Sequence, residues 1–421
     1  MIFASSRLLT SNVESFQTSP ACSLVVAGRE PSQHDRSTAT RRGSDSRSGP
    51  KAVAERAQAN STVTAVEPSE LTSASNLALR QGVSAWYASD FQSPDTFTYH
   101  LTPKDIAELE AAANGVEHKE TKDITKSDFP LPTFGPKLEA LREEVVNGRG
   151  FYLIQGLPVV TYSVAKSVLI YWGMGLYWGH AVSQNAKGHL IGHVKDIDLP
   201  GGHKDPVNRV YATHGAQPYH CDPADVVGLL CLKQAKSGGL SSWASSVTAH
   251  NELLRRRPDL AEVMTQGWFL DRKNEVPPGK DPWFVVPPFN YHEGKLAIFY
   301  ENGFYQSAER HEQVPKLTQQ QHEAISVFDE IASSDKLRLD YVLQPGDIQL
   351  LHNHQIVHTR SEYEDFEDPA ERRHLLRIWV APPDGWPLPE AFAERYGSTT
   401  IGERGGICVP GYAPRIALEA D

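Results

Sequence analysis

The sequence predicts a mainly β domain of the α+β class, in which short strands build a sandwich or barrel core and helices pack around it. Three observations carry this expectation. Short apolar runs recur between Gly/Pro turns through the central and C-terminal chain, helix-period segments lie mostly ahead of those runs, and aromatic residues become frequent from Trp86-Tyr87 onward.

In chain order, residues 1–82 are read as a disordered N-terminal extension. Up to Arg80 the only aromatics are Phe3 and Phe16, and a Ser/Thr/Ala-rich composition of this kind buries too little apolar surface to offset the entropy of ordering. Its Arg and Ser content also suits a mitochondrial targeting segment, while Glu14, Glu30 and Asp35 are acids that such segments avoid. Residues 83–421 are assigned to one catalytic-sized domain.

The pair Thr102-Pro103 reads as an N-cap followed by proline at the first helical position, with Ile106, Leu109 and Ala113 on one face before Gly115. A second helix runs from Pro136 through Leu138, Leu141 and Val145, a third covers Tyr162 to Trp178, and a fourth Pro315 to Ser333. Strands are expected within Gly150 to Gly156 and at Val226 to Leu232, Trp283 to Val286, Leu296 to Tyr300, Leu339 to Leu343, Ile348 to His358 and His374 to Val380.

Composition excludes several functions. A net charge of -11 with no Lys/Arg stripe argues against nucleic acid as a partner. The stretch Val164 to Val182 contains Lys166 and His180 and falls short of the ~20 apolar residues a bilayer span requires, so no membrane association is expected. The cysteines Cys22, Cys221, Cys231 and Cys408 form no CxxC pair, which suits a reducing, cytoplasmic setting. The run Arg255-Arg-Arg257 precedes Pro258 at a helix C-terminus, where the dipole favours solvated cations, and is given no function.

The chemistry lies in an H-x-D pattern followed far downstream by histidines. Two His and one carboxylate on one face of a metal leave the other positions open, the donor set of non-haem iron(II) oxygenases. Two H-x-D matches exist. His203-Lys-Asp205 sits among turn formers, whereas His220-Cys-Asp222 leads into the apolar run Asp225 to Leu232. Downstream, Ile348 to His358 alternates so that His352, His354 and His358 share a face, and spacing does not choose among them. In Arg372 to Val380, Arg373 and Arg377 share a face with Leu375 and Trp379, where a guanidinium needs an anion if it is buried.

The blocks Tyr219-His-Cys-Asp222, Gly238-Gly-Leu-Ser-Ser-Trp243, Pro345-Gly-Asp-Ile-Gln-Leu350, Asn353-His-Gln-Ile-Val-His-Thr-Arg360 and Arg373-His-Leu-Leu-Arg-Ile-Trp379 follow one another in the order and spacing of one family. The chain resembles the TauD/TfdA-like (clavaminate-synthase-like) dioxygenases over roughly Gly148 to Pro389. The resemblance implies a double-stranded β-helix, that is, a cupin-like jelly roll, and an Fe(II)- and 2-oxoglutarate-dependent dioxygenase. Such an enzyme consumes O2, releases succinate and CO2, and oxidises an aliphatic C–H bond of a small organic substrate, usually by hydroxylation.

It further implies His220, Asp222 and His358 as metal ligands. Arg377 would meet the far carboxylate of 2-oxoglutarate, Arg373 its other end, and Ser241 would stand where relatives place a Thr that bonds the far carboxylate. Retention of Asp222 argues against halogenation, for which relatives replace that carboxylate. Gln184, Asn185, Tyr211 and Tyr219, on the approach to the iron motif, are candidates for the substrate pocket. Two other readings are a zinc-dependent hydrolase in the same His-Asp-His site and a non-catalytic jelly-roll binding protein. The sequence leaves the substrate and a homo-oligomeric state open.

Overall fold

The computed structural model describes residues 77–407, 409 and 411–420. Most of the expected N-terminal extension, with any targeting signal, lies outside the described residues. Its last residues, 77–82, are held in place: the Asn251 side chain accepts from Arg80 N at 2.8 Å and donates to Arg80 O at 2.7 Å, and the Arg80 guanidinium lies 4.7 Å from the Tyr291 ring centroid. The ordered chain therefore starts ahead of the boundary that composition suggests, because clasping a backbone needs no apolar side chain.

Two sheets form the core. The larger, eight-stranded sheet runs in the order Thr98–His100, Phe151–Gln155, Ile348–His352, Val226–Lys233, His374–Ala381, His189–Val194, Arg415–Ile416, with His180–Ala181 also paired to His374–Ala381. The smaller, four-stranded sheet runs Leu339–Tyr341, Ser241–Ser245, Ile356–Arg360, Gln217–His220. Facing each other, they make the double-stranded β-helix.

Helices cover the outer face of the larger sheet. The first, Pro103–Val116, is closed by a capping box in which Thr102 Oγ1 accepts from Asp105 N and the Asp105 carboxylate accepts from Thr102 N. It packs with Gly135–Asn147 and Val164–Gly175 on Ile154, Leu230, Ile348, Leu350, Leu376 and Ile378. Beside the smaller sheet, Ser246–Arg256, Pro258–Val263 and Gln319–Ala332 enclose a second core containing Ala244, Val357 and Tyr219. No helix among the described residues is long and apolar enough to cross a membrane. The Arg255 to Arg257 run makes ion pairs with Glu252, Asp259, Glu323 and Glu330 at the surface.

One expected element divides in two. Ile348 to His358 is not a single strand: Ile348–His352 belongs to the larger sheet, Ile356–Arg360 to the smaller, and a turn at Asn353 to Gln355 carries the chain between them. His352, His354 and His358 therefore share no face. His354 bonds Asp225 Oδ1 at 2.7 Å beside buried Arg404, and His352 packs edge-on against Trp386.

The inward faces of both sheets meet in an aromatic cluster containing Phe151, Leu153, Val227, Trp243, Leu351, Ile356 and Trp379. Trp243 is wholly buried there, 5.4 Å from the Phe151 ring and 6.0 Å from Phe97. Truncating it, Trp243→Ala, is expected to cost about 3–5 kcal/mol, since the sheets relax only partly into the cavity left behind. Equilibrium chemical denaturation of both proteins measures that difference.

Candidate metal centre and its cavity

Period-two alternation carries each inward strand face from the aromatic cluster to a polar cavity. On the larger sheet Trp379 is followed inward by Arg377, Leu375 and Arg373, and Val227 by Leu229. On the smaller sheet Ile356 is followed by His358 and Arg360, and Trp243 by Ser241. These polar positions and Leu229 line one cavity of about 460 Å³, together with Val194, Tyr211, Gln217, His220, Asp222 and Leu343.

His220 and His358 are cross-strand partners in the smaller sheet, with ring centroids 4.1 Å apart. Asp222 follows two residues beyond the end of the strand. The candidate donor atoms of His220, Asp222 and His358 lie within 4.8 Å of one another, and all three residues are buried. This is the one group of three or more such side chains among the described residues that could hold a metal ion. His203 is exposed and has no part in it.

Local bonds prepare the donors. His220 Nδ1 lies 2.9 Å from Pro218 O; a carbonyl only accepts, so Nδ1 carries the proton and Nε2 keeps its lone pair. The Gln217 amide donates to that lone pair at 2.8 Å, a bond that a cation would replace. Burial, with His220 and Arg377 nearby, pushes the His358 imidazole down to about 3 and keeps it neutral. Burial pulls the other way on Asp222, but Arg377 together with the His358 and His220 rings outweighs it and holds this carboxyl below the ordinary carboxylate range. Asp222 Oδ1 accepts from Arg377 Nη1 at 3.2 Å, while Oδ2 is buried without a hydrogen-bond partner. Two neutral imidazoles and an ionised carboxylate with an unused oxygen fit a divalent cation such as iron(II).

The turn between the sheets fixes the carboxylate's backbone. Asn353 Oδ1 accepts from Asp222 N at 2.9 Å and Asn353 Nδ2 donates to Ala224 O at 2.8 Å. Nothing in the spacing of the motif reveals this clasp, because it depends on the turn that the alternating pattern conceals.

The resemblance sets Arg377 at the far carboxylate and Arg373 at the other end of the keto acid; in the structure Arg377 lies on the strand His374–Ala381 and Arg373 just ahead of it. Arg377 touches Asp222, which places it at the metal end. Arg373, four residues back and ~13 Å along the strand, lies over the Tyr363 ring at 5.1 Å and near Ser241 at the remote end of the cavity. Its Nη1 is buried without a partner. Position along a strand sets the face; only the metal's location sets which end is near. The Ser241 hydroxyl lines the cavity and donates to Gln349 Oε1 at 3.1 Å, whereas Ser242 bonds Asp340 on the other side of the strand.

Of the residues expected to face substrate, Tyr211 lines both this cavity and an adjoining one. Gln184 and Asn185 line a further cavity that shares Tyr211 and Arg377, and Tyr219 lines none of the three. Gln184 is a clasp on Arg377: its Oε1 accepts from Arg377 Nε at 2.8 Å and its Nε2 donates to Arg377 O at 2.6 Å. Gly192, paired with Arg377, makes room for it, since a Cβ there would sit 2.6 Å from Gln184 Oε1. Asn185 closes a turn through bonds from Lys187 N and His189 N. Tyr219 points away into the second core, as its odd position beside His220 on a strand requires.

The adjoining cavity, about 470 Å³, shares Tyr211, Gln217, Asp222 and Arg377 with the first and adds Arg209, Lys273, Glu301 and Phe304 to its walls. Arg209 is paired with Glu275 at 2.5 Å, and Lys273 Nζ bonds Pro206 O at 2.8 Å. None of these residues belongs to a motif, and they lie far apart in sequence. Arg360 was within reach of sequence reasoning, because it sits two residues beyond His358 on the same strand face.

The model of the family described as "Taurine catabolism dioxygenase TauD, TfdA family" matches residues 117–379. FR-33289 synthase of Streptomyces rubellomurinus is 31% identical over 327 residues, 75% of this chain and 94% of that protein. The taurine hydroxylase-like protein SAT17 of Stachybotrys chartarum is 30% identical over 321 residues, 74% of this chain and 82% of its own. A solved asparagine oxygenase, in complex with Fe(II), a hydroxyasparagine and succinate, superposes with a TM-score of 0.54 at 16% identity over 68% of this chain and 93% of that one, a likeness of fold.

If Asn353 positions the Asp222 carboxylate for a cation, Asn353→Ala should weaken divalent-metal affinity by about 10–100-fold while the protein stays folded. Anaerobic calorimetric titration with Fe(II), alongside a circular dichroism spectrum, measures both.

Proposed function

The chain belongs to the TauD/TfdA family of dioxygenases, and from that membership and the site's geometry we propose that His220, Asp222 and His358 bind the iron and that the cavity between the sheets receives the keto acid. The protein is an Fe(II)- and 2-oxoglutarate-dependent dioxygenase acting on a small organic molecule, and we infer hydroxylation as the outcome.

The observation that carries the site assignment is the juxtaposition of a two-His, one-carboxylate group with buried arginines in a single cavity. A zinc hydrolase or an inert binding module would leave those guanidiniums without an anion. A keto dicarboxylic acid answers each of them: Ser241 and Arg373 suit its far carboxylate, and Arg377 suits the metal end, where it also steadies Asp222.

Bound together, iron(II) and 2-oxoglutarate supply oxygen activation, the keto acid leaving as succinate and CO2. The protein's own residues do the positioning. Gln184 and the Trp379 ring, 4.5 Å from the guanidinium, hold Arg377 in one orientation, so the charge beside Asp222 does not wander. The Pro218 carbonyl fixes the His220 tautomer. Aliphatic walls at buried Val194, Leu343 and Leu375 and half-buried Leu229 limit water on the keto acid's side.

Substrate then approaches through the adjoining cavity, flanked by Tyr211 and Phe304. Its cations Arg209 and Lys273 favour a substrate bearing an acidic group, in line with the taurine, an aminosulfonate, of the family's description. Glu301, which shares a β-bridge with His220, adds an acceptor on the same wall.

With Fe(II), 2-oxoglutarate and O2 the protein should form succinate slowly even without substrate, and His358→Ala should lose both stoichiometric iron and succinate above background. Replacing Fe(II) by Zn(II) should likewise abolish succinate. Metal analysis with an oxygen-electrode and succinate assay tests this, and succinate production independent of iron or of His358 would contradict it.

A further inference from the structure

The cavity holds a third arginine that no step above uses. Arg360 lies two residues past His358 on the same inward strand face and is 94% buried by its 6% exposure. Its Nη1 donates to Thr213 O at 3.3 Å, its Nη2 donates to Gly215 O, and its Nε is buried with no partner.

Arg360 and Arg373 lie close to the same ring. The Tyr363 centroid is 4.7 Å from the Arg360 guanidinium carbon and 5.1 Å from that of Arg373. Both line the keto-acid cavity, and neither forms an ion pair with a carboxylate among the described residues. Burial, followed by the charge of Arg373, pushes Arg360 down to about 10. Two like charges brought together in a low-dielectric space repel, and although Asp365 and Asp196 exert some attraction from nearby, the guanidiniums are met directly only by backbone carbonyls and a phenol ring.

One arginine with a hydroxyl suffices to hold a single carboxylate. A pair of guanidiniums with unused N–H groups at Arg360 Nε and Arg373 Nη1 offers more donors than that. Resting on the reading above, we propose that Arg360 is a second anchor for the far carboxylate of 2-oxoglutarate, working with Arg373 and Ser241, and that this pair makes the enzyme select keto acids that carry that second carboxylate. The same side chain ties the 213–215 backbone to the strand through Thr213 O and Gly215 O, so occupancy of the keto-acid site and the wall bearing Tyr211 are linked through one residue.

The test compares two ligands that differ only at the far end. 2-Oxoglutarate binding to the Mn(II)-loaded protein is measured by anaerobic calorimetry, and 2-oxovalerate, with the same keto-acid head and no far carboxylate, by competition against it. Arg360→Gln should weaken 2-oxoglutarate about tenfold or more and shift the 2-oxovalerate constant less than twofold, narrowing the preference for the dicarboxylate. Arg360→Lys carries the same comparison should the glutamine protein not fold. Unchanged 2-oxoglutarate affinity, or an equal loss for both ligands as expected of a purely structural tie to the 213–215 loop, overturns the proposal. A wild-type protein that fails to bind 2-oxoglutarate would instead overturn the function on which it rests.

Discussion

Between the two sheets, Arg360, Arg373 and Arg377 line a cavity in which Asp222 is the one carboxylate among the described residues. Isolated charges in such a place carry a desolvation penalty of several kcal/mol each, so the arrangement is stable only in relation to what it binds. Asp222 is shared: one oxygen meets Arg377 and the other is free for a cation beside two imidazoles. The remaining positive charge is an anion site. A metal and a keto dicarboxylate are thus complementary halves of a single electrostatic demand.

The fold meets that demand by using the same strand faces twice. Deep in the sandwich, Trp243, Ile356 and Trp379 lock the sheets together, and two residues along those strands the same faces present Ser241, His358 and Arg377. Rigidity at the apolar end is transmitted directly to the donors at the polar end. The Asn353 turn and the Gln184 clasp then remove the remaining freedom of Asp222 and Arg377. Gly192 shows how local this is, since a single added methyl group would occupy the place of the Gln184 oxygen.

Much of this was readable from the chain. Period-two alternation places Arg373 and Arg377 on the inward face, the family resemblance and not the alternation points to His358, turn chemistry sets His203 apart from His220, and the capping residues of Pro103–Val116 are visible at Thr102-Pro103. What escaped has a physical reason in each case. The break at Asn353 to Gln355 contains no Gly or Pro and continues the alternation of His352 and His354, so a change of sheet looked like a longer strand. Alternation fixes a face and not an end, so it does not say which of Arg373 and Arg377 lies beside Asp222. Nearness in sequence to the motif does not place Tyr219 on the cavity side, since a strand sends neighbours to opposite sides, whereas Gln184 and Asn185 do line a cavity with Tyr211 and Arg377. Arg209, Lys273 and Glu301 meet only through tertiary structure and leave no linear trace.

The most direct check is an anaerobic crystal structure of the protein with Fe(II) and 2-oxoglutarate. The account predicts iron bound by imidazole nitrogens of His220 and His358 and a carboxylate oxygen of Asp222, with the keto-acid head beside Arg377 and the distal carboxylate at Ser241 and Arg373. Iron found at other residues, or the dicarboxylate lying outside the space between the two sheets, would contradict it.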